Sequence, residues 1–173
     1  FINGASRHSP LNAALSVAAA IYCGCPLSNI KKKLKFIDLP ERRLAISNSL
    51  NGSLLIDDSY NSNPASLKNA VDSLEGLERK KVCILGDMKE LGSDSQKIHQ
   101  EMYEYISERV DQIFCIGDEW STCSPNEKKD LSIFENQDDL YSHLISIIDK
   151  KTILLVKGSR STRMDLLADK LKE

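Results

Sequence analysis

The stretch Ser53-Leu54-Leu55-Ile56-Asp57-Asp58-Ser59-Tyr60-Asn61-Ser62-Asn63-Pro64 decides the fold. A short apolar run that ends in polar residues reads as a buried strand. Asn63-Pro64 then reads as a helix start, because asparagine accepts an orphan amide and proline has none to leave unpaired. Leu67, Ala70, Val71, Leu74 and Leu77 follow at helical spacing, which predicts strand, loop, helix.

The same unit recurs outward along the chain. Lys81 to Leu85 is a strand leading through Gly86-Asp87 to a helix that faces inward with Ile98, Met102, Tyr105, Ile106 and Val110. Gln112 to Ile116 leads into Gly117-Asp118, and Ser132 to Phe134 precedes a helix with Leu140, Leu144, Ile147 and Ile148. Thr152 to Val156, the turn Lys157 to Arg160 and a helix with Met164, Leu167 and Leu171 complete the pattern. Five strands alternating with four helices predict an α/β fold: a Rossmann-like, mostly parallel sheet with helices on both faces. The strands are continuously apolar, as strands covered on both faces must be. Upstream, Ser9-Pro10 starts a small-residue helix that Gly24 ends, and a second helix from about Leu27 to Phe36 turns its lysines outward.

In such a sheet the ligand crevice lies beyond the carboxyl ends of the strands. Those ends collect Asp57-Asp58, Gly86-Asp87, Gly117-Asp118 and Lys157 to Arg160. The two Gly-Asp pairs read first as turns with a capping aspartate. The loop after Ile56 offers two carboxylates, a phenol and two amides, which suits a ribose or a water-bridged magnesium ion, or simply an aspartate turn and a cap. Val156-Lys157-Gly158-Ser159-Arg160-Ser161 gathers two cations and two hydroxyls at a helix start, which suits a carboxylate or phosphate, or equally a capped basic turn.

Composition sets the outer limits. The 173 residues are 41% apolar, 28% charged and 6% aromatic, with a net charge of −2. This excludes disordered and collagenous classes, and the balanced charge argues against a nucleic-acid partner. The alanine-rich run Ala13 to Cys25 is shorter than the ~20 residues a membrane-spanning helix needs, so no membrane span is expected. Five cysteines, an odd number with two in apolar runs, suggest a reducing cytoplasmic setting, and Cys23-Gly24-Cys25 lacks the second pair that a zinc site needs. No strand is followed by G-x-G-x-x-G, which argues against a nicotinamide enzyme. Residues 1–50 hold seven basic and two acidic side chains whereas the remainder is acidic, as two unlike pieces would be. The start at Phe1 carries no leader-type pattern, so the chain is expected to be a fragment.

Taken in order, Arg7-His8-Ser9-Pro10-Leu11-Asn12-Ala13, Pro40-Glu41-Arg42, Asp57 to Pro64, Gly86-Asp87-Met88-Lys89-Glu90-Leu91-Gly92 and Val156 to Ser161 resemble the Mur ligases. The likeness is to the branch that adds D-alanyl-D-alanine to UDP-N-acetylmuramoyl-tripeptide. That family's ATPase domain ends with G-R-H-N-x-x-N-A and a P-G-R turn, and its C-terminal domain carries D-D-S-Y-N-A-N-P, G-D-M-x-E-L-G and V-K-G-S-R-S. Ser6, Ser9 and Glu41 depart from the pattern.

The resemblance implies residues 1–56 as a remnant of the central ATP-binding domain and 57–173 as the C-terminal domain. It implies a ligase of peptidoglycan precursor synthesis, using ATP and magnesium, in which amine attack on an acyl phosphate forms the amide. By the same likeness His8 and Asn12 lie near adenine, Arg42 near the phosphates and Asp58 at the ribose. Asn61, Asn63 and Lys157 belong to the reacting centre, while Ser159 and Arg160 hold the dipeptide, Arg160 on its carboxylate. His99 is open between a structural hydrogen bond and a substrate contact. No G-x-x-x-x-G-K-[ST] occurs, so the phosphate loop, metal ligands and UDP-sugar domain are expected upstream, and the chain alone is expected to be inactive. The alternatives are another Mur or folylpolyglutamate-type ligase and a non-catalytic α/β binding module.

Overall fold

The computed structural model describes residues 9–34, 41–125 and 131–173. Two helices, α1 (Ser9–Tyr22) and α2 (Leu27–Leu34), come first. Leu11, Leu15, Ile21 and Tyr22 of α1 are exposed, and Ile30 of α2 is buried while Lys31, Lys32 and Lys33 face solvent. The expected continuation of α2 to Phe36 lies outside the described residues.

The remainder runs β1 (Ala45–Asn48), β2 (Leu54–Asp58), α3 (Pro64–Asp72), β3 (Lys80–Gly86), α4 (Ser95–Ser107), β4 (Gln112–Ile116), α5 (Asp118–Ser121), β5 (Leu131–Phe134), α6 (Gln137–Ile147), β6 (Thr152–Lys157) and α7 (Met164–Leu171). The strands form one sheet in the order β1-β2-β6-β3-β4-β5. Every neighbouring pair is parallel except β1 with β2. The last strand therefore lies between β2 and β3, with Asp58 paired to Lys157 and Leu85 to Lys157 across the two ladders.

Side-chain alternation along the strands builds two cores. Ile56, Cys83, Leu85, Cys115, Ile153 and Leu155 pack with Leu67, Ala70 and Val71 of α3 and Met102, Tyr103 and Ile106 of α4. Leu55, Val82, Ile84, Phe114, Leu154 and Val156 face the other way, onto Leu140 and Leu144 of α6 and Met164, Leu167 and Leu171 of α7. The continuously apolar strands are thus buried on both faces, as expected. At roughly 25 cal/mol per Å² of apolar area, these two cores are the main favourable term of the fold.

Three features depart from the sequence reading. The antiparallel edge strand β1 was not expected; its residues are mostly exposed, so it lacks an apolar pattern. It is held by pairing with β2 and by a hydrogen bond from the Ser49 hydroxyl to the Leu171 carbonyl, 2.6 Å. α3 ends at Asp72, where the Ser73 hydroxyl donates to the Ala70 carbonyl at 2.6 Å; Leu74 is still buried but Leu77 is exposed. The single turn α5 was also unexpected and buries Trp120 completely. The expected division after Ile56 falls within β2, which pairs with β1 and β6.

Candidate functional site

The parallel strands β2, β6 and β3 end side by side, so the segments that follow them share one rim. Hydrogen bonds join those segments directly. The Lys157 ammonium donates to the Asp58 carboxylate and to the Asn61 carbonyl at 2.8 Å. The Ser159 hydroxyl donates to the Ser62 carbonyl at 3.4 Å and accepts from the Lys89 amide at 2.8 Å. The Ser159 amide donates to the Asp87 carbonyl at 3.0 Å. The three stretches singled out in the sequence are neighbours.

Close backbone approach makes this possible. A Cβ on Gly158 would lie 2.6 Å from Met164 Cγ and Thr162 Oγ1 and 3.0 Å from Gly86 Cα, and one on Gly86 would lie 2.5 Å from Thr162 Oγ1. Glycine at both positions lets the turn after β6 and the first residue of α7 fold down over the strand ends.

The candidate residues divide by burial. Asp58 is nearly buried, with Oδ2 on Lys157 and Oδ1 accepting the Leu44 amide at 3.1 Å. Burial pushes the Asp58 carboxyl above its ordinary value against the pull of Lys157, and burial lowers Lys157 against the pull of Asp58. Lys157 is 2% exposed, and Ser159 is buried as well. Asn61 and Asn63 are exposed. Asn61 Oδ1 accepts the Ser62 amide at 2.9 Å. Asn63 caps α3 through the Ser66 amide at 2.8 Å, and the Ser66 hydroxyl accepts from the Asn63 amide at 3.1 Å. The loop that ends in Asn63 is thereby rigidly joined to α3.

Arg160 stands at the surface, 3.7 Å from Asp165. Arg42 lies elsewhere: its carbonyl accepts the Tyr60 amide at 3.2 Å, but its guanidinium turns away to Asp169 at 2.7 Å and Asp165 at 3.7 Å on α7. The hydrogen bond to Asp169 raises the Arg42 pKa further. Asn12 is exposed on α1, and His8 is outside the described residues.

Residues that the motifs left unassigned complete the rim. Arg43 covers the Tyr60 ring at 4.4 Å; only its place beside Arg42 could have drawn attention to it. Lys89, with a 43% exposed side chain, is held by Asp87 at 2.9 Å, and that hydrogen bond raises its pKa. His99 is fully buried and edge-on to Trp120 at 4.7 Å, so of the two roles open to it the structure gives the hydrogen-bonded one. Exposed cations and amides over a buried polar floor form a surface for an anionic, hydrogen-bonding ligand. For magnesium the fit is poor: Asp57 is 2.9 Å from Lys172, Asp58 is paired with Lys157, and among the described residues no three His, Cys, Asp or Glu side chains cluster as ligands. No helix among the described residues is long and apolar enough to cross a membrane.

Known proteins are similar to this chain in sequence and fold. The UDP-N-acetylmuramoyl-tripeptide–D-alanyl-D-alanine ligase of Haemophilus influenzae is 32% identical over 174 residues, covering 96% of this chain and 38% of that protein. A crystal structure of MurF from Acinetobacter baumannii superposes with a TM-score of 0.80 at 32% identity, over 95% of this chain and 37% of that one. MurF of Thermotoga maritima in complex with ADP shares the fold, with a TM-score of 0.81 at 23% identity over 95% of this chain and 38% of that one. The chain thus spans under two fifths of the length of these relatives. Residues 42–160, more than half the chain, match the Mur ligase, glutamate ligase domain, and that segment opens at the turn before β1 and closes on the basic turn after β6, so the chain belongs to the Mur ligase family.

Proposed function

We propose that this chain is the C-terminal part of an ATP-dependent amide ligase that joins D-alanyl-D-alanine to UDP-N-acetylmuramoyl-tripeptide in cytoplasmic peptidoglycan precursor synthesis. The observation that carries the reading is the rim itself, where the segments that carry the exposed Asn61, Asn63, Lys89 and Arg160 are hydrogen-bonded to one another around the buried Asp58–Lys157 pair. The Haemophilus influenzae relative that bears this activity in its name covers nearly the whole chain. Residues up to about 41 are the end of a central ATP-binding domain, and the sheet from β1 onward is the substrate domain.

In the complete enzyme ATP, with magnesium held by residues upstream, supplies the phosphoryl group that turns the acceptor carboxylate into an acyl phosphate. The free amine of the dipeptide attacks the acyl carbon; the C–N bond forms, inorganic phosphate leaves, and the amine gives up a proton. This domain's share is orientation, which can be worth ~7–11 kcal/mol of barrier when two reactants are held in attack geometry. Arg160 takes the dipeptide carboxylate, and the Asn61 and Asn63 amides bind at the reacting centre. His8 and Asn12 approach the adenine. Arg43, exposed at the rim, is better suited to the nucleotide phosphates than Arg42, whose charge is met by α7. Asp58 reaches the ribose only if it exchanges one of its present partners.

Titration calorimetry of this chain with D-alanyl-D-alanine, repeated after Arg160→Ala, tests the assignment. Binding that weakens at least tenfold in the variant is expected; equal binding by both removes Arg160 from the site. Ligation by the isolated chain would overturn the division of labour between domains.

A further inference from the structure

Behind the rim, buried side chains hold successive backbone amides in place, a task distinct from the dipeptide contact that the family resemblance implies for Ser159. His99, on α4, is fully buried. Its Nε2 accepts the Met88 amide at 3.1 Å, while its Nδ1 lies 2.8 Å from the Ser95 carbonyl, an acceptor only. The imidazole is therefore neutral, with its proton on Nδ1 and its lone pair on the Met88 amide. Trp120 packs edge-on against this ring, donates from Nε1 to the Gly86 carbonyl at 3.0 Å and from its amide to Asp87 Oδ1 at 3.3 Å. Ser159 then takes the next amide, that of Lys89. Two successive amides of the segment after β3 are thus held by side chains from α4 and from the turn after β6.

We infer that His99 and Ser159 are positioning residues, which together fix the segment 86–91 against the Tyr60–Asn63 loop and so set where the Lys89 ammonium stands relative to Asn61. Ser159 joins the two segments in one hydroxyl, between the Lys89 amide and the Ser62 carbonyl. His99 supplies the second point that stops the segment from pivoting about Ser159. Asp87 completes the frame: its carbonyl accepts the Ser159 amide and its carboxylate holds the Lys89 ammonium at 2.9 Å. Lys89 is fixed at both ends while its side chain stays half open to solvent. His99 is fully buried and Ser159 nearly so, and each side chain is engaged with backbone groups, so both act through the backbone they hold. The consequence for rate rests on the ligase reading above; the positioning itself does not.

Two measurements separate these levels. Amide hydrogen exchange on this chain reads the frame directly. In Ser159→Ala the Lys89 amide, and in His99→Leu the Met88 amide, are expected to exchange at least tenfold faster, with the β3 and β4 amides unchanged. His99→Gln, whose side-chain carbonyl can accept the same amide, is expected to restore Met88 protection. Unchanged protection in Ser159→Ala, or equal loss in Gln and Leu at position 99, overturns the inference. Should His99→Leu fail to fold, Ser159→Ala decides alone. In the complete ligase, Ser159→Ala is expected to lower kcat by about 100-fold, the cost of a misplacement near 1 Å, with KM for ATP unchanged. A normal kcat beside faster exchange overturns the catalytic consequence, whereas a parent protein with no ligase activity overturns the proposed function and leaves the exchange result standing.

Discussion

Replacing Lys157 by methionine is the sharpest test of how the rim is held. The substitution keeps most of the buried aliphatic volume and removes the ammonium that donates to Asp58 and to the Asn61 carbonyl. Asp58 then keeps only the Leu44 amide, in a position 9% exposed. Breaking one partner out of a buried ion pair costs ~3–5 kcal/mol, most of it the desolvation of the charge left behind. For a chain of this size that corresponds to a fall of about 10 °C in Tm. The loss should also depend on pH in a definite direction. Burial already pushes the Asp58 carboxyl above its ordinary value, and without Lys157 the strongest lowering influence on it is gone, leaving the weaker pulls of the Leu44 amide and Arg43. A carboxyl whose folded pKa exceeds its unfolded one favours the folded state below the unfolded pKa and loses that advantage as pH rises through the folded pKa. The variant is therefore expected to lie closest to the parent in mild acid and furthest from it at pH 8.

The assay is urea unfolding followed by the fluorescence of Trp120, the chain's single, fully buried tryptophan. Asp58→Asn and the double variant complete a thermodynamic cycle. Asparagine keeps an acceptor for the Leu44 amide, so Asp58→Asn with Lys157→Met removes both charges and the hydrogen bond to the Asn61 carbonyl, the latter lost equally in Lys157→Met alone. The double variant is expected to be more stable than Lys157→Met alone, with a coupling of at least ~2 kcal/mol. Additive losses, or a single variant within ~0.5 kcal/mol of the parent at pH 8, would refute the claim that the pair is the floor of the site.

Gly158→Ala forces a Cβ to within 2.6 Å of Met164 Cγ and Thr162 Oγ1; a loss of ~1–3 kcal/mol from overpacking is expected in the same urea assay. Asn63→Ala removes the α3 cap and should cost ~1 kcal/mol, with Asn63→Asp largely retaining stability. Asp169 is raised by burial but held below its ordinary value overall by hydrogen bonds from Arg42 and Lys172. Its contribution is present above the unfolded pKa and fades as pH falls through the folded one, so acidification below the usual carboxylate range should free Arg42 from α7. Lower protection of the α7 amides relative to their unstructured exchange rates at that pH would register it, and unchanged protection would count against the Arg42–Asp169 contact as a tie to α7.

Much of this was legible in the chain itself because two simple signals coincide. Apolar runs of strand length alternate with helical spacing, and each run is followed by glycine, aspartate or asparagine at the sheet's carboxyl edge. The edge strand β1 was not legible, since its residues are mostly exposed and its place is set by pairing with β2 and by Ser49 reaching the C-terminal helix. Trp120 is another case: nothing local in Asp118 to Ser121 announces a helical turn, and its burial depends on the Gly86 carbonyl it meets from another strand. Arg42 and Arg43 are adjacent, and only the left-handed backbone at Arg42, φ 61°, turns one guanidinium to α7 and leaves the other over Tyr60.

The same distinction governs the site. The motifs mark most of the residues that the rim needs, though not Arg43, and do not say whether a side chain meets a ligand or holds another loop. Burial makes that separation. An ammonium 2% exposed is shut off from a substrate by burial and held by two acceptors, each charge-assisted hydrogen bond being worth ~1.5–3 kcal/mol. Arg160 faces no such barrier, since its nearest carboxylate is 3.7 Å away and its side chain is 61% exposed, where an ion pair contributes ~1 kcal/mol or less. An incoming carboxylate can displace Asp165 from Arg160 at small cost but cannot displace Asp58 from Lys157. On the proposed function, the cations of the V-K-G-S-R-S turn therefore divide their tasks, Lys157 shaping the crevice and Arg160 meeting the ligand.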